Sequence, residues 1–364
     1  MSSPLRHQVG QLIIAGLEGT ELTSVERAWL KLIRPGGVIL FRRNIEQAGQ
    51  TVQLLNDATG AIGSPAFRCI DLEGGLVDRL RDLIAPMPSP AAVFASGKRS
   101  HFKKHGHLIG KEARILGLNT VFAPVLDLAL QESSSVMRTR VVSPHASEVT
   151  RYAEAFLQGL TSQRILGCGK HFPGLGGGNL DSHHAMPVIE RAFTTMWEED
   201  IVPFRELAGQ LPMVMVSHAS YPHASGTSLP ASVSAFWITN ILRKKLRFRG
   251  LVVSDDMEMG GILTQMPIED AAIEAVLAGT DLLEICRDPS LILSAYEALL
   301  SEAEHSPFFR LKIQGAVRRI ERSKKRQSFT QTIPRPNSKM LEQLRAEIET
   351  FEQQVNKSRA CINN

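Results

Sequence analysis

Two segments of the chain place acid–base and nucleophilic side chains at short spacings. The first, KHFPGLGGGNLDSH, covers residues 170–183, where a lysine and a histidine precede a glycine-rich stretch that ends in Asp181 and His183. Two loop residues with one position between them can face each other, so Asp181 can accept a hydrogen bond from the His183 imidazole. Such a carboxylate orients the ring and raises its basicity. We expect the pair to handle a proton in catalysis.

The glycine-rich stretch also admits two other interpretations. Its glycines give it the freedom of a mobile loop that carries an acid–base group. A phosphate cradle is disfavoured, because the spacing departs from GxGxxG and no apolar helix starts there. A metal site would draw on Asp181, His183, His184 and His171. Metal-dependent barrel hydrolases typically carry two histidines on the first strand, and IIAGLEG (13–19) has none. We therefore expect neither a metal nor another cofactor.

The second segment, RGLVVSDDM (249–257), ends in the adjacent carboxylates Asp255 and Asp256. Neighbouring residues of a strand point to opposite faces, so only one of the two can face a substrate. That one is a candidate nucleophile. The other is expected to support the loop, for example as the N-cap of the next helix.

Eight short apolar runs alternate with helix-like stretches and predict the framework that positions these groups. Most are apolar on both faces, as strands of a buried parallel sheet are. Strand and helix alternating eight times predict a (β/α)8 barrel, with a doubly wound sheet as the alternative. The runs are 11–17, 37–41, 67–72, 120–128, 165–171, 213–218, 250–255 and 281–286.

Polar residues follow most of these runs, at the strand ends where such barrels carry their catalytic groups. One such residue alone is as well explained by the capping of the next helix, but the whole set favours a site. The residues are Asp71, Glu73, Asp127, Lys170, His171, His218, Asp255 and Asp256.

Helices are predicted over 45–58, 147–160, 232–246 and 268–278, and a basic surface helix over 310–326. Residues 1–325 form the predicted barrel domain. Residues 326–364 form a predicted linker and an amphipathic helix over 340–355, with Met340, Leu344, Ile348, Phe351 and Val355 at 3–4 spacing. This helix is expected to dock on the barrel or to pair two subunits, which predicts a monomer or a weak homodimer.

Composition narrows the class of protein. The net charge of +4 comes from mixed charges without an aromatic-interleaved basic stripe, so we do not expect nucleic acid as a partner. The four cysteines are widely spaced, and three lie in apolar runs, which predicts buried free thiols. No segment approaches ~20 apolar residues, and the first apolar run is short for a signal peptide. We expect a cytoplasmic protein with no membrane span.

The long motifs resemble glycoside hydrolase family 3, specifically the bacterial single-domain β-N-acetylglucosaminidases of peptidoglycan recycling. The family pattern is KHFPGHG, four residues, then DSH; the chain reads KHFPGLG, GGNL, DSH. SDDMEM (254–259) resembles the family's SDDLxM. GGVILFRRN (36–44), DLEGGLVDR (71–79), APVLDL (123–128) and PASVS (230–234) are also similar to family motifs, and the resemblance spans roughly residues 8–325.

This resemblance implies a retaining exo-hydrolase that releases terminal β-linked GlcNAc from muropeptide-like fragments through a covalent glycosyl-enzyme. It implies Asp255 as nucleophile, His183 as acid/base and Asp181 as the partner of His183. The residues that it implies in sugar binding are Asp71, Arg79, Arg140, Lys170 and His171. A β-glycoside phosphorylase, a β-glucosidase and a non-catalytic sugar-binding protein are the alternatives on the same barrel.

Two positions depart from the family pattern. Leu175 stands where the family has the second histidine of PGHG, and Leu76 stands where it has the first arginine after EGG. Both changes remove hydrogen-bonding groups and add apolar surface, without altering the residues implied in catalysis. We expect them to affect the group attached to the sugar more than the type of reaction.

Overall fold

Eight parallel strands close into a barrel in the computed structural model, which describes residues 4–178, 186–327 and 336–363. Strands that are consecutive in this series are neighbours in the barrel, and the last pairs with the first. The predicted (β/α)8 barrel is confirmed. The strands are β1 (Ile13–Gly16), β2 (Gly37–Leu40), β3 (Phe67–Ile70), β4 (Thr120–Val121), β5 (Leu166–Phe172), β6 (Met213–Val216), β7 (Leu251–Asp256) and β8 (Leu282–Ile285).

Two places differ from the predicted strands. The run 120–128 keeps only two strand residues, because Pro124 has no N–H to donate to the ladder and the chain beyond it makes a single bridge, from Val125 to Lys170. After β3 the chain forms an unpredicted hairpin, Leu72–Gly74 with Val77–Asp78. Its turn requires Gly75, whose φ is +61° and where an added Cβ would lie 2.5 Å from the Ser89 Cβ.

Helices cover the outside of the barrel. The α-helices are Leu5–Gly10, Ser24–Ile33, Ala48–Ile62, Pro90–Phe94, Arg99–Ile115, Ser134–Met137, Ala146–Ser162, Phe193–Glu198, Val202–Leu207, Pro222–Ser225, Gly260–Leu263, Ile268–Ala278, Pro289–His305, Pro307–Gln327 and Ser338–Asn363. Arg42–Asn44, Arg138–Arg140 and Ala231–Val233 are 3₁₀ turns, and Phe236–Lys245 is a π-helix.

The helix 268–278 is predicted with its observed bounds and ends at Gly279, whose φ is +115°. The helix predicted from 45 begins instead at Ala48. Asn44 accepts a bond from the Phe41 N–H and donates to the Leu17 carbonyl, which fixes a 3₁₀ turn before the helix. The helix predicted over 232–246 divides into a 3₁₀ turn and a π-helix.

The C-terminal helix docks on the barrel domain. Leu344, Ile348, Phe351 and Val355 are buried in the main core, and the helix packs on Pro90–Phe94 and Arg99–Ile115. Met340, predicted on the same face, is 47% exposed because it lies in the first turn, before the docked stretch. Docking accounts for the apolar face, while the oligomeric state and the domain division at residue 325 stay predictions.

The helix Pro307–Gln327 is amphipathic rather than wholly on the surface. Phe309, Ile313, Ala316 and Ile320 are buried against the barrel, whereas Arg318, Arg322 and Arg326 are exposed. None of the helices in the described ranges is long and apolar enough to cross a bilayer. Cys69, Cys168 and Cys286 are buried free thiols, as predicted, and Cys361 is exposed.

The Lys324 side chain is buried at the amino-terminal end of the barrel, and its burial should make the stability of the protein depend on pH. Its Nζ donates to Gln11 Oε1 at 2.8 Å and lies 5.2 Å from the centre of the Phe67 ring. Burial lowers its pKa to about 7, whereas an unfolded lysine titrates near about 10.4. Between these values the unfolded state binds more protons, so stability should rise with pH, by up to about 1.4 kcal/mol per unit.

Lys324→Met should therefore flatten the rise in unfolding free energy between about pH 7 and 10. Urea denaturation across that range measures it. Lys325→Met is the matched control, because Lys325 is exposed on the same helix and should keep the wild-type slope. Equal slopes in the wild type and Lys324→Met would contradict the prediction.

Candidate active site

A cleft opens at the carboxyl ends of the strands, where the predicted site residues collect. Asp255 and all five predicted sugar-binding residues line it, together with apolar side chains from β6 and from the segments after β3, β4, β5 and β7. The lining residues are Asp71, Val77, Arg79, Val136, Met137, Arg140, Lys170, His171, Leu175, Gly178, Pro187, Met215, Asp255 and Met259.

Asp255 stands near the end of β7 with its carboxylate toward this cleft. Its Oδ1 accepts the Asp256 N–H at 3.0 Å. Burial alone would raise the pKa of Asp255, but the His171 and His218 side chains, this N–H and Lys170 outweigh burial and lower it. Asp255 is therefore held as an anion in a partly exposed position.

Asp256 lies outside the lining of the cleft, as the alternation of strand side chains predicts. Burial is the main cause that raises its pKa to about 7, and the charges of Glu258 and Asp255 raise it further. Its Oδ1 accepts the Glu258 N–H at 3.1 Å. The expectation that Asp256 caps the next helix is wrong, because that helix starts later and has Met259 as its N-cap.

His218 supports the turn that carries both carboxylates. Its Nε2 lies 3.0 Å from the Asp256 carbonyl oxygen, which can only accept, so Nε2 holds the proton. Its Nδ1 then accepts from the Ser232 hydroxyl at 2.7 Å. Burial lowers the pKa of His218 and favours this neutral tautomer.

Glu73 forms the centre of a buried ion cluster at one wall of the cleft. Arg140 binds it through two parallel hydrogen bonds of 2.8 Å, and Lys170 Nζ lies 2.6 Å from Glu73 Oε1. Lys170 also donates to Asp71 Oδ1 at 2.8 Å. The cluster joins the hairpin after β3, the loop after β4 and the end of β5.

The pKa values in this cluster follow from the pairing. Burial would raise the pKa of Glu73, but Arg140 and Lys170 hold it well below the usual range. Burial would likewise lower the pKa values of Lys170 and Arg140, but Asp71 and Glu73 raise the first and Glu73 raises the second. All three groups stay charged, because each offsets the burial of the others.

Asp71 and Arg79 form the more exposed end of the same wall. Asp71 keeps 17% of its side chain exposed, and its Oδ2 lies 4.0 Å from an Arg79 terminal nitrogen. The Arg79 guanidinium lies 5.7 Å from the centre of the Phe41 ring, which supports it from one side. Asp71 thus presents acceptor oxygens, and Arg79 donors, at the mouth of the cleft.

His171 is fixed by Asp127. Its Nδ1 lies 2.6 Å from Asp127 Oδ2, while Asp127 Oδ1 accepts the N–H groups of His171 and Leu175. An Arg140 terminal nitrogen, which can only donate, lies 3.5 Å from His171 Nε2. Nδ1 therefore carries the proton, and Nε2 presents a lone pair to the cleft.

His183 and Asp181 lie outside the described residues, so their predicted pairing stays a prediction. The described residues that flank them do reach the site: Gly178 and Pro187 both line the cleft. Leu175 lines it as well, so the departure from the family histidine places an apolar side chain in the wall. Leu76, 45% exposed, lies in the hairpin turn outside the lining.

Glu73, Asp127 and His218 support the site through contacts that the sequence does not predict. Each lies near a strand end, and that position is the only signal in the sequence. Their function depends on partners 67, 44 and 14 or more positions away, which only barrel closure brings together. Among the described residues, no group of three His, Cys, Asp or Glu side chains converges as metal ligands do.

Comparison with known families gives a match over most of the chain. Residues 4–323 match the Glycosyl hydrolase family 3 N terminal domain. A protein named Beta-hexosaminidase from Pseudomonas aeruginosa is 37% identical over 291 residues, which are 79% of this chain and 86% of that protein. The match covers both motif segments from which the site was predicted.

Solved structures share the fold. A family 3 β-N-acetylglucosaminidase from Paenibacillus superposes with a TM-score of 0.89 at 29% identity, over 96% of this chain and 69% of that one. A β-N-acetylhexosaminidase from Beutenbergia cavernae gives a TM-score of 0.82 at 25% identity, over 89% and 99% of the two chains.

Glu73→Gln should show how much the charge of Glu73 contributes to the free energy of unfolding. Removing the central anion leaves two buried cations underpaired, and we expect a loss of about 3–5 kcal/mol in unfolding free energy near neutral pH. Because the folded pKa of Glu73 is depressed, its stabilisation is complete above the unfolded value of about 4.3 and is lost as pH falls toward the folded value.

The variant should therefore lose stability less steeply than the wild type below about pH 4.5. Urea denaturation between about pH 3.5 and 7 gives both quantities. Glu349→Gln, at an exposed position of the C-terminal helix, is the charge-matched control and should change little. A Glu73→Gln curve parallel to the wild type would contradict the assignment.

Proposed function

The chain belongs to family 3 of the glycoside hydrolases, and we propose that it is a retaining exo-β-N-acetylglucosaminidase that releases terminal β-linked GlcNAc from peptidoglycan fragments. The observation that carries the proposal is Asp255: a carboxylate whose pKa is lowered, at the end of a barrel strand, facing a cleft lined by charged and apolar side chains. The names of the similar proteins support the sugar, and the motif resemblance supports the class of fragment.

The proposed reaction has two displacements. Asp255 attacks the anomeric carbon and forms a covalent glycosyl ester, while His183 protonates the oxygen of the departing group. His183, now neutral, then takes a proton from water as the water attacks the same carbon and releases Asp255. Two inversions leave the product with the β configuration of the substrate.

Asp255 is the better nucleophile of the two adjacent acids because of its protonation state and its position. Its lowered pKa keeps it ionised at neutral pH, whereas Asp256, with a pKa of about 7, holds a proton on a large share of molecules. Asp255 also lines the cleft and Asp256 does not. Asp256 is assigned a supporting role in the turn.

The proposal for His183 and Asp181 rests on motif spacing and on the flanks of their segment. A glycosidase needs a proton donor on the side of the departing group. Gly178 and Pro187 bring the chain to the cleft on either side of this segment. A histidine in this role has one electrostatic advantage: its neutral form does not repel the carboxylates of peptidoglycan fragments.

The predicted sugar-binding residues have free hydrogen-bonding capacity in the cleft. Lys170 uses two of its three N–H donors on Asp71 and Glu73, which leaves one for a hydroxyl. His171 Nε2 and Asp71 offer acceptors, and Arg79 and Arg140 have further donors. Met137, Met215 and Met259 provide apolar contact for the faces of the ring. We assign these residues to the sugar that is released.

Leu175 bears on the group that is attached to this sugar. It lies eight positions before His183, and its side chain packs on a cluster of buried apolar residues that includes Leu128 and Phe172 while lining the cleft. An apolar contact there replaces a hydrogen bond that the family motif provides. We propose that the preference for the attached group therefore differs from that of family members with the histidine.

We also propose that the protein acts in the cytoplasm, where buried free thiols persist.

Trapping with a 5-fluoro analogue of GlcNAc fluoride tests the nucleophile. The slow second step should leave the sugar on Asp255, detectable by mass mapping of the peptide that contains residues 251–257. The Asp255→Asn variant should not be labelled, and its kcat should fall by at least about 10⁴-fold. Asp256→Asn, the matched neighbour, should keep the label. A label on another residue would sink the assignment.

The dependence on the leaving group tests His183. His183→Ala should lower kcat/KM by about 10²–10⁴-fold on a GlcNAc disaccharide, whose departing oxygen needs a proton. The loss should be much smaller on a nitrophenyl glycoside, whose phenolate leaves unaided. His184→Ala is the adjacent control and should retain activity on both substrates. An equal loss on the two substrates would count against an acid role.

The same assay separates a hydrolase from a phosphorylase. Added inorganic phosphate should not convert the released sugar into a sugar 1-phosphate.

A further inference from the structure

The face of the barrel opposite the cleft carries two connected basic grooves. They lie between the helix Pro307–Gln327 and the segment before β7, at the amino-terminal ends of β5, β6 and β7. The catalytic cleft lies at the carboxyl ends, so the two regions are separated by the length of the barrel. Nothing in the proposed chemistry uses these grooves.

Five exposed arginines define what we call the basic face: Arg247, Arg249, Arg318, Arg322 and Arg326. Neither groove has an aspartate or glutamate among its lining residues in the described part of the chain. Guanidinium groups this close repel one another, and without a counterion they oppose folding. Their concentration on one face calls for an anionic partner.

The nearby acidic residues form no ion pair with the basic face. Glu321, on the same helix, lines a separate groove together with Lys324 and Lys325. Asp281, the buried carboxylate nearby, is shared by Arg243 and Arg319 at 2.5 and 2.7 Å. This pairing leaves Asp281 with more cations than it can balance. Glu206 pairs with Arg205 at 3.4 Å. The five exposed arginines have no ion pair with any acidic residue that the structure describes.

The same helix adds an apolar element to this face. Phe308 and Leu311 are each 62% exposed, although both are large apolar side chains. Positions 308, 311, 315, 318 and 322 follow one another at intervals of three or four, so they form one stripe. The outward stripe therefore changes from apolar at the helix start to arginine-rich toward its end.

We propose that this stripe and the basic face dock the enzyme on an anionic phospholipid surface. The arginines would bind the headgroup phosphates, for which their planar donors are suited. Phe308 and Leu311 would enter the boundary between headgroups and acyl chains. In this orientation the catalytic cleft faces away from the membrane and stays open to soluble substrate.

A soluble polyanion as partner would account for the arginines but not for the exposed apolar side chains beside them. Single-stranded nucleic acid binds through exposed aromatic side chains on which bases stack. Phe248, which lines these grooves, is 1% exposed, so Phe308 is the one aromatic side chain that the stripe offers for stacking, and Leu311 would have no partner. A polyphosphate would satisfy the arginines but would leave Phe308 and Leu311 in water. A lipid surface engages both halves of the stripe.

Co-sedimentation with vesicles tests the proposal. The full-length protein should bind vesicles that contain about 30% phosphatidylglycerol and not pure phosphatidylcholine, and binding should weaken as salt rises. Arg318→Glu with Arg322→Glu should lower the partition coefficient at least about 25-fold, since each cation contributes roughly fivefold. Phe308→Ser with Leu311→Ser should lower it at least about tenfold.

Lys98→Glu with Lys103→Glu is the matched control, because it makes the same charge change at exposed positions that line neither groove. It should retain binding. All variants should keep the wild-type kcat/KM on a soluble glycoside, and the arginine variant should not melt below the wild type, because it relieves repulsion within the basic face. Equal weakening by the control, or unchanged binding by the arginine variant, would overturn the proposal. So would tight binding of polyphosphate or an oligonucleotide that Phe308→Ser with Leu311→Ser leaves intact.

Discussion

The buried carboxylate of Glu73 is the interaction on which the rest of the cleft depends. A charge at 1% exposure cannot be solvated, so it requires Arg140 and Lys170 in fixed positions. Those two cations come from the loop after β4 and from β5, and Lys170 in turn fixes Asp71. One anion therefore sets the distance between three separate segments. Polar groups that are held in this way need little reordering when a ligand arrives, which is how a site becomes complementary to a transition state.

The two acids at the end of β7 show how environment divides identical side chains between roles. Asp255 is stabilised as an anion by the imidazoles and Lys170 around it, whereas Asp256 is turned toward a poorly solvated region beside Glu258 and Cys286. His218 stands between the strands as a neutral donor to the same turn. The strand alternation that separates the acids is a property of the backbone. The difference in their protonation is a property of the packing behind it.

Much of this could be predicted from the sequence, because it rests on local patterns. Eight apolar runs predict the barrel, and of the polar residues after them Asp71, Lys170, His171 and Asp255 line the cleft. Arg79 and Arg140 follow only from the family resemblance. What could not be predicted depends on distant partners. Glu73 needs Arg140, 67 positions away, and the start of the helix at Ala48 depends on the contact of Asn44 with Leu17. The basic face draws on residues from 247 to 326, and the small net charge of the whole chain gives no sign of it. His183 stays a prediction on motif spacing alone.

The docked C-terminal helix has a consequence for the cleft itself. It packs on Pro90–Phe94, and that short helix packs in turn on the turn Arg138–Arg140. Arg345 strengthens the seam by donating to the Ile84 carbonyl at 2.7 Å. The C-terminal helix thus supports, through Pro90–Phe94, the turn that positions Arg140 against Glu73. The position of Arg140 therefore depends in part on a helix at the surface, and the stretch that matches the family domain, residues 4–323, is braced by residues outside it.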